Sequence, residues 1–452
     1  SWALSKFPSG ERFDGVLGNP PYIRYQYLDA DKQNIAETIF KYHRLPFTKH
    51  TNAWVPFVVA SIALLNPGGR LGMVLPSELL HVLHAQSLRN FLAKECDKIL
   101  IIDPNELWFE GALQGAIILL AEKKTSRHIN SKGLGIIRTR SKRFLDLTPA
   151  EIFENVEYLN GETIEGKWLR ALLTNKEREI LHSIKHRKNV FQFDTLADVD
   201  VGIVTGANKF FLVSDEVVEK FGLKKWAHPM FGRSNHVQGI IYSKASHATN
   251  RQKGLPTNFI WFGDESISKL PKKVKAYIES GEQEGLHTRY KCRMREPWYS
   301  VPSVYFSPVG MLKRSHDFPR LILNRANAFT TDTAYRVKPK SVSGEKLVYF
   351  FLNSLTALTA ELEGRHYGGG VLELVPSEIE KLLIPIAHMD KQDLVDLDDG
   401  FKSGTNSEEL LANQDKKVLK AIDLTSSEIE TIFSAWKRMR LRRQRAPEEE
   451  MS

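Results

Sequence analysis

Asn19-Pro20-Pro21-Tyr22 is the stretch of this 452-residue chain whose residue types and order can do chemistry. It follows a short apolar run, Phe13 to Leu17, that ends at Gly18. Two successive prolines fix φ, remove two backbone donors and push Asn19 out of the helical region. The product is a stiff corner with one side-chain amide, one or two free carbonyls and one aromatic face. Such a set holds a flat ring that bears an NH2 group. The oxygens accept from the amine and the aromatic ring lies against the ring plane. The same four residues also suffice to end a strand, and the corner by itself accepts any flat amine.

A strand must carry this corner to the edge of a sheet, and the flanking sequence supplies the rest of that sheet. A polar helix runs to about Tyr42. Trp54 to Leu65 reads as an apolar helix stopped by Asn66-Pro67-Gly68-Gly69, a turn signal. Gly69 to Leu75 is a buried strand closed by Pro76, and Ser77 to Ala93 a helix with Ser77 as N-cap. Lys98 to Asp103 and Gly115 to Leu120 are further strands, separated by a loop that holds Trp108 and Phe109. Continuous apolar strands alternating with helices predict a mostly parallel sheet covered on both faces. The last two strands lie too close for a helical crossover and are expected to be antiparallel.

Residues 126–173 read as a connector with one strand near Gly133 to Arg138. From 174 to 389 short apolar runs alternate with polar turns, which predicts a strand-rich mixed α/β domain. Within it, Tyr290 to Tyr299 (with Arg293, Arg295 and Trp298) and Phe318 to Asn327 (with Arg325) interleave cations and aromatics. That composition suits phosphate contacts and base packing, or equally a solvated strand face. Residues 390–452 form a soft linker and a helical tail. Its end, Trp436 to Arg445, is strongly basic and suits either phosphates or solvent.

Sixty-three Lys and Arg against 54 Asp and Glu give a net charge of +9, which favours a polyanionic partner. The two cysteines, Cys96 and Cys292, make no metal pattern and no disulfide framework. No apolar run reaches membrane-spanning length, and a cytoplasmic location with no membrane partner is expected.

The corner resembles the catalytic motif of gamma-type adenine-N6 DNA methyltransferases of restriction–modification systems. The resemblance implies that Asn19 and the Pro20 carbonyl accept from the target amine, with Pro21 beside it. Tyr22 would stack on the base and Phe109 cover its other face. It also implies S-adenosyl-L-methionine as methyl donor, double-stranded DNA as partner, and direct displacement. Residues 1–125 would be the carboxyl-terminal half of the catalytic domain, a partial Rossmann-like methyltransferase sheet from its fourth to its seventh strand. Val201 to Phe211, with Lys209, resembles the opening of a target-recognition domain. Arg365 to Ile379, with Tyr367 and Gly369, resembles its close. The expected fold class is thus α/β: the partial sheet, a mixed α/β recognition domain and a helical tail.

In this family the glycine-rich donor turn precedes the Asn-Pro-Pro-Tyr strand, and here only Ser1 to Arg12 do. Gly202 to Gly206, Gly368 to Gly370 and Phe109 to Leu113 do not fit it. The donor motif is therefore expected outside this chain, in a missing segment or a separate amino-terminal subunit. Without it the chain is expected to be inactive, with an exposed sheet edge that makes it poorly soluble or oligomeric. Three other readings stay open: a DNA-specificity subunit with no turnover of its own, a protein glutamine N-methyltransferase, and a decayed gene fragment.

Overall fold

The computed structural model describes residues 12–49, 51–104, 115–139, 146–160 and 166–444. They form two compact units. The first comprises Ser1–Glu179, Arg365–Val371 and Arg438–Ser452, and the second Ile180–Gly364 and Leu372–Lys437. Both are mixed α/β. No described helix is long and apolar enough to cross a membrane.

The first unit is built on five strands: β1 (Phe13–Gly18), β2 (Leu65–Pro76), β3 (Cys96–Pro104), β4 (Ala116–Lys123) and β5 (Gly133–Thr139). Their spatial order is β1-β2-β4-β3-β5. β1 pairs with β2 and β3 with β5 in parallel, whereas β4 is antiparallel to both its neighbours. Four strands therefore run one way with a single reversed strand between them, and the expected antiparallel pairing of β3 and β4 is present. The middle of β3, Ile99 to Ile102, is fully buried, as strands covered on both faces must be. Helices α1 (Ala30–Tyr42), α2 (Trp54–Leu64) and α3 (Gln86–Glu95) join them. Asp29 caps α1 by accepting from Lys32 N at 2.9 Å. α2 buries Trp54, Val55, Val58, Val59 and Ile62 completely, which its unbroken apolar sequence requires.

Three local readings differ from the sequence. Asn66-Pro67-Gly68-Gly69 ends α2 at Leu64, as expected, but lies within β2 and not before it. The chain enters β2 directly at Leu65, and the pairing with β1 jumps from Phe13↔Leu65 to Gly15↔Arg70. A Cβ at Gly69 would lie 2.9 Å from Asn66 O and 3.1 Å from Phe13 O, so only glycine fits this bulge. The helix expected over Ser77 to Ala93 is two 3-10 turns, Ser77–Leu80 and Leu83–Ala85, followed by α3. Arg89 is fully buried at the break. Its guanidinium donates to Leu79 O at 2.9 Å and Val82 O at 3.1 Å, carbonyls that a regular helix would have used itself, and to Gly166 O at 3.1 Å. Finally, the expected connector 126–173 contributes β5, so this sheet continues past residue 125.

The second unit holds a five-stranded sheet in the order Ile241–Tyr242, Leu321–Asn324, Val309–Leu312, Ala334–Pro339, Ala197–Val201. A four-stranded sheet follows the order Phe329–Thr330, Ala227–Phe231, Asn258–Ile260, Leu212–Val213. One apolar cluster gathers Phe210, Phe211, Phe259, Ile278 and Trp298.

Candidate active site and nucleic-acid interface

The Asn-Pro-Pro-Tyr corner leaves the carboxyl end of β1. Pro20 is buried, whereas Asn19, Pro21 and Tyr22 are exposed. Tyr22 keeps 43% of its surface accessible, enough to receive a planar ring, and partial burial pushes its phenol up to about 12. The corner is braced from behind. Arg24 bridges Asn52, Ala53 N donates to Ile23 O at 2.8 Å, and Asn52 Nδ2 donates to Glu78 Oε2 at 2.9 Å. The amino end of α2 and the exit of β2 thereby hold it. A cleft of about 470 Å3 opens beside it, lined by Pro21, Ile23, Tyr27, Ile39, Pro56 and Phe57. Phe109, expected to cover the second face of the base, lies outside the described residues. Among the described residues β1 is an edge strand paired only with β2, and its Leu17 is 88% exposed.

The other strand ends at this edge carry charge. At the end of β3, Asp103 is fully buried and bound bidentately by Arg442, with Nε–Oδ2 2.6 Å and Nη2–Oδ1 3.0 Å. Arg438 grips Glu177 in the same way, at 2.7 and 2.5 Å. Arg443 donates to the Gly370 carbonyl. The basic tail is thus engaged inside the first unit through three of its arginines, and these do not lie along phosphates. Past β2, His81 is buried, and its ring lies 5.0 Å from that of His366. Burial first, then the cations around it, hold His81 well below the usual histidine range, so it is neutral.

Tyr367 and Gly369 group with this unit although their sequence placed them in the 174–389 domain. Tyr367 is half-buried. Gly369 is exposed at φ +74°, with no atom within 4 Å of an added Cβ.

In the second unit Lys209, Arg293 and Arg325 are exposed. Arg293 sits over Tyr290, 5.5 Å from the ring centroid. Two residues expected on DNA face inward instead. Arg295 donates to Val204 O at 2.7 Å and Thr205 O at 2.8 Å. Trp298 is 9% exposed, lies 5.1 Å from the Phe210 ring and donates from Nε1 to Glu282 at 3.0 Å. Its interleaving with cations reflects a core indole on a short segment and not a stacking surface. A cleft of about 540 Å3 gathers residues that the sequence did not single out, among them Arg233, Ser234, Asn235, Asp332 and Thr333. Asp332 accepts from Asn208 Nδ2 at 3.0 Å, beside Lys209. The run Gly232 to Asn235 lacks aromatics, so nothing in its composition flagged it.

No group of metal-binding side chains occurs among the described residues. Burial pushes the Cys96 thiol up to about 12 and raises that of Cys292, and both cysteines are buried.

Residues 165–419 match the family described as "Type II methyltransferase M.Eco57I, C-terminal domain", and residues 2–109 match "Eco57I restriction-modification methylase". The chain is 26% identical over 398 residues to the Type II methyltransferase M.AccI of Acinetobacter calcoaceticus, covering 84% of this chain and 71% of that protein. It is 33% identical over 397 residues to the Type II methyltransferase M.BanIII of Aneurinibacillus aneurinilyticus, covering 76% and 63%. Among solved structures it is similar to the Type IIL restriction-modification enzyme MmeI, determined in complex with DNA. There the TM-score is 0.57 at 12% identity, over 94% of this chain and 57% of that one, a likeness of fold.

Proposed function

Since this chain belongs to the Eco57I family of restriction–modification DNA methyltransferases, we propose that it is the amine-holding and DNA-reading part of an enzyme that methylates adenine N6 in double-stranded DNA, with S-adenosylmethionine as the donor. The observation that carries this reading is the braced corner at the carboxyl end of β1, the edge at which open α/β sheets bind ligands. Asn19 Oδ1 and the Pro20 carbonyl accept the two amino protons of an extruded adenine. These bonds leave the nitrogen lone pair less delocalised into the ring and better aimed for attack. Stacking on Tyr22 contributes roughly 1–3 kcal/mol towards an extrusion that costs a few kcal/mol. Lys209, Arg293 and Arg325 contact phosphates. Holding the amine in line is this chain's main share of catalysis.

Neither described exit from a parallel strand, Asn19-Pro20 after β1 or Ser77-Glu78 after β2, carries a glycine-rich turn. With β1 at the sheet edge and Leu17 bare, the reading assigns the donor site to elements that pair along β1, in a preceding segment or a separate subunit. A second reading, a DNA-specificity subunit without turnover, rests on the same observation. Labelled methyl transfer to DNA separates them, measured with the chain alone and with the polypeptide encoded upstream joined to it. The first reading expects label only in the joined protein, and Asn19→Ala then abolishes it while sparing DNA binding. Unlabelled DNA with the joined protein overturns methylation.

A further inference from the structure

Several arginines of the second unit are committed to its own backbone. Arg295 binds two carbonyls, Arg320 binds Val237 O and Gln238 O at 2.5 and 2.9 Å, and Arg336 binds Val201 O and Ser303 O at 2.6 and 2.8 Å. Arg233, like Arg289 and Arg325, is not so committed, and of these three it alone lines the 540 Å3 cleft. It is exposed there, and among the described residues its guanidinium makes no hydrogen bond or ion pair. The side chains of Ser234 and Asn235, next to it, are equally exposed and uncommitted.

Their backbone, by contrast, is fixed. They stand on the 3-10 turn Ser234–His236, closed by His236 N donating to Arg233 O at 3.0 Å. The turn is rooted by His236, 3% exposed, whose carbonyl accepts from Asn250 Nδ2 at 2.7 Å. It enters through Gly232, where a Cβ would lie 2.7 Å from Thr333 Oγ1. Three unspent polar side chains on a rigid mount are the arrangement that geometric readout needs.

Asp332 lines the same cleft, as do Lys313 and Arg314, which pair with Glu373. The Asp332 carboxylate only accepts, and one of its oxygens already accepts from Asn208. A phosphate offers no hydrogen to it and repels it, whereas the amino group of a base edge donates. Donors from Arg233 beside an acceptor from Asp332, with Asn235 and Ser234 able to do both, match the mixed donor–acceptor edges of the major groove. The phosphate contacts belong instead to the neighbouring cations, such as Lys209.

We infer that this cleft reads base edges of the recognition sequence, with Arg233 directed at a guanine through its O6 and N7 and Asn235 at an adenine through its N6 and N7. The assignment rests on the DNA-reading function proposed above and names the residues that would set its specificity.

Selection of bound duplexes from a randomised pool by gel shift, using the full chain, tests it. The wild type enriches a motif. Arg233→Ala and Asn235→Ala each lose discrimination at one position of that motif, on the order of tenfold, while binding to random duplex and its salt dependence change less than twofold. Arg233→Lys keeps the charge but not the planar fork, and loses the same discrimination. Lys209→Ala weakens every duplex alike. If the variants select the wild-type motif with undiminished discrimination, the assignment of the cleft is wrong and the DNA-reading function stands. If the wild type itself enriches no motif, the DNA-reading function falls and the assignment with it.

Discussion

Replacing Arg442 with methionine strands a carboxylate in the interior of the first unit. The two bonds to Asp103 are 2.6 and 3.0 Å, and the side chains are 5% and 1% exposed. At an effective dielectric of about 20 the Coulomb attraction at that separation is about 6 kcal/mol. Desolvating the two ions costs a similar amount, so the intact pair contributes little net stability. A broken pair is another matter, because Asp103 then bears its desolvation with no counter-charge. Arg442→Met should cost about 3–5 kcal/mol. Asp103→Asn combined with Arg442→Met removes both charges and should regain at least ~2 kcal/mol of that loss. Hydrogen exchange in urea, read on peptides that contain β3, isolates the first unit from the second. A single-variant loss under ~1 kcal/mol refutes the reasoning. So does a double variant no more stable than the single one.

Asp415 carries a pH signature for the second unit. It is buried, one oxygen accepts from Ser354 N at 2.7 Å, and burial pushes its carboxyl up to about 7. The folded value lies above the unfolded one near 4, so the stability it contributes is present below about pH 4 and is lost as pH rises through 7. Asp415→Asn should therefore raise the unfolding free energy from urea melts by about 4 kcal/mol at pH 8 but only about 1.5 kcal/mol at pH 5; equal offsets at the two pH values contradict this. Gly369 and Gly370 offer a matched pair, at φ +74° and +69°. Gly369→Ala meets no neighbour and should cost only the ~1–2 kcal/mol of a left-handed alanine. Gly370→Ala also drives a Cβ to 2.9 Å from Gln444 Cα, so its thermal midpoint should fall further. Equal midpoints argue against that contact.

The strands and the corner were legible because their signals are local. β1 to β4 are short apolar runs bounded by Gly and Pro, and the reversed β4 follows from a gap too short for a crossover. What stayed hidden depends on partners far along the chain. Arg89 looks like an ordinary helical arginine, but it is buried against Leu79, Val82 and Gly166 at the break, and the helix starts nine residues late. Arg438, Arg442 and Arg443 resemble a phosphate-binding tail, yet the carboxylates of Glu177 and Asp103 and the Gly370 carbonyl claim them. Arg295 and Trp298 look like a nucleic-acid surface, since composition does not reveal which side of a segment faces the core. Arg233 was overlooked for the opposite reason: a reader on a fixed turn needs no aromatic neighbours.

The return of Arg365–Val371 to the first unit has a consequence for exchanging specificities. A graft cut at residues 174 and 389, the limits that the sequence suggests, would import a foreign copy of that strand. The host would keep His81, Arg443 and Gln444, which the native strand meets through His366 and Gly370. Such a chimera inherits a mismatched seam in its first unit, however well the grafted segment folds. Junctions placed at 180 and 364, with the host retaining Arg365–Val371, leave that seam native.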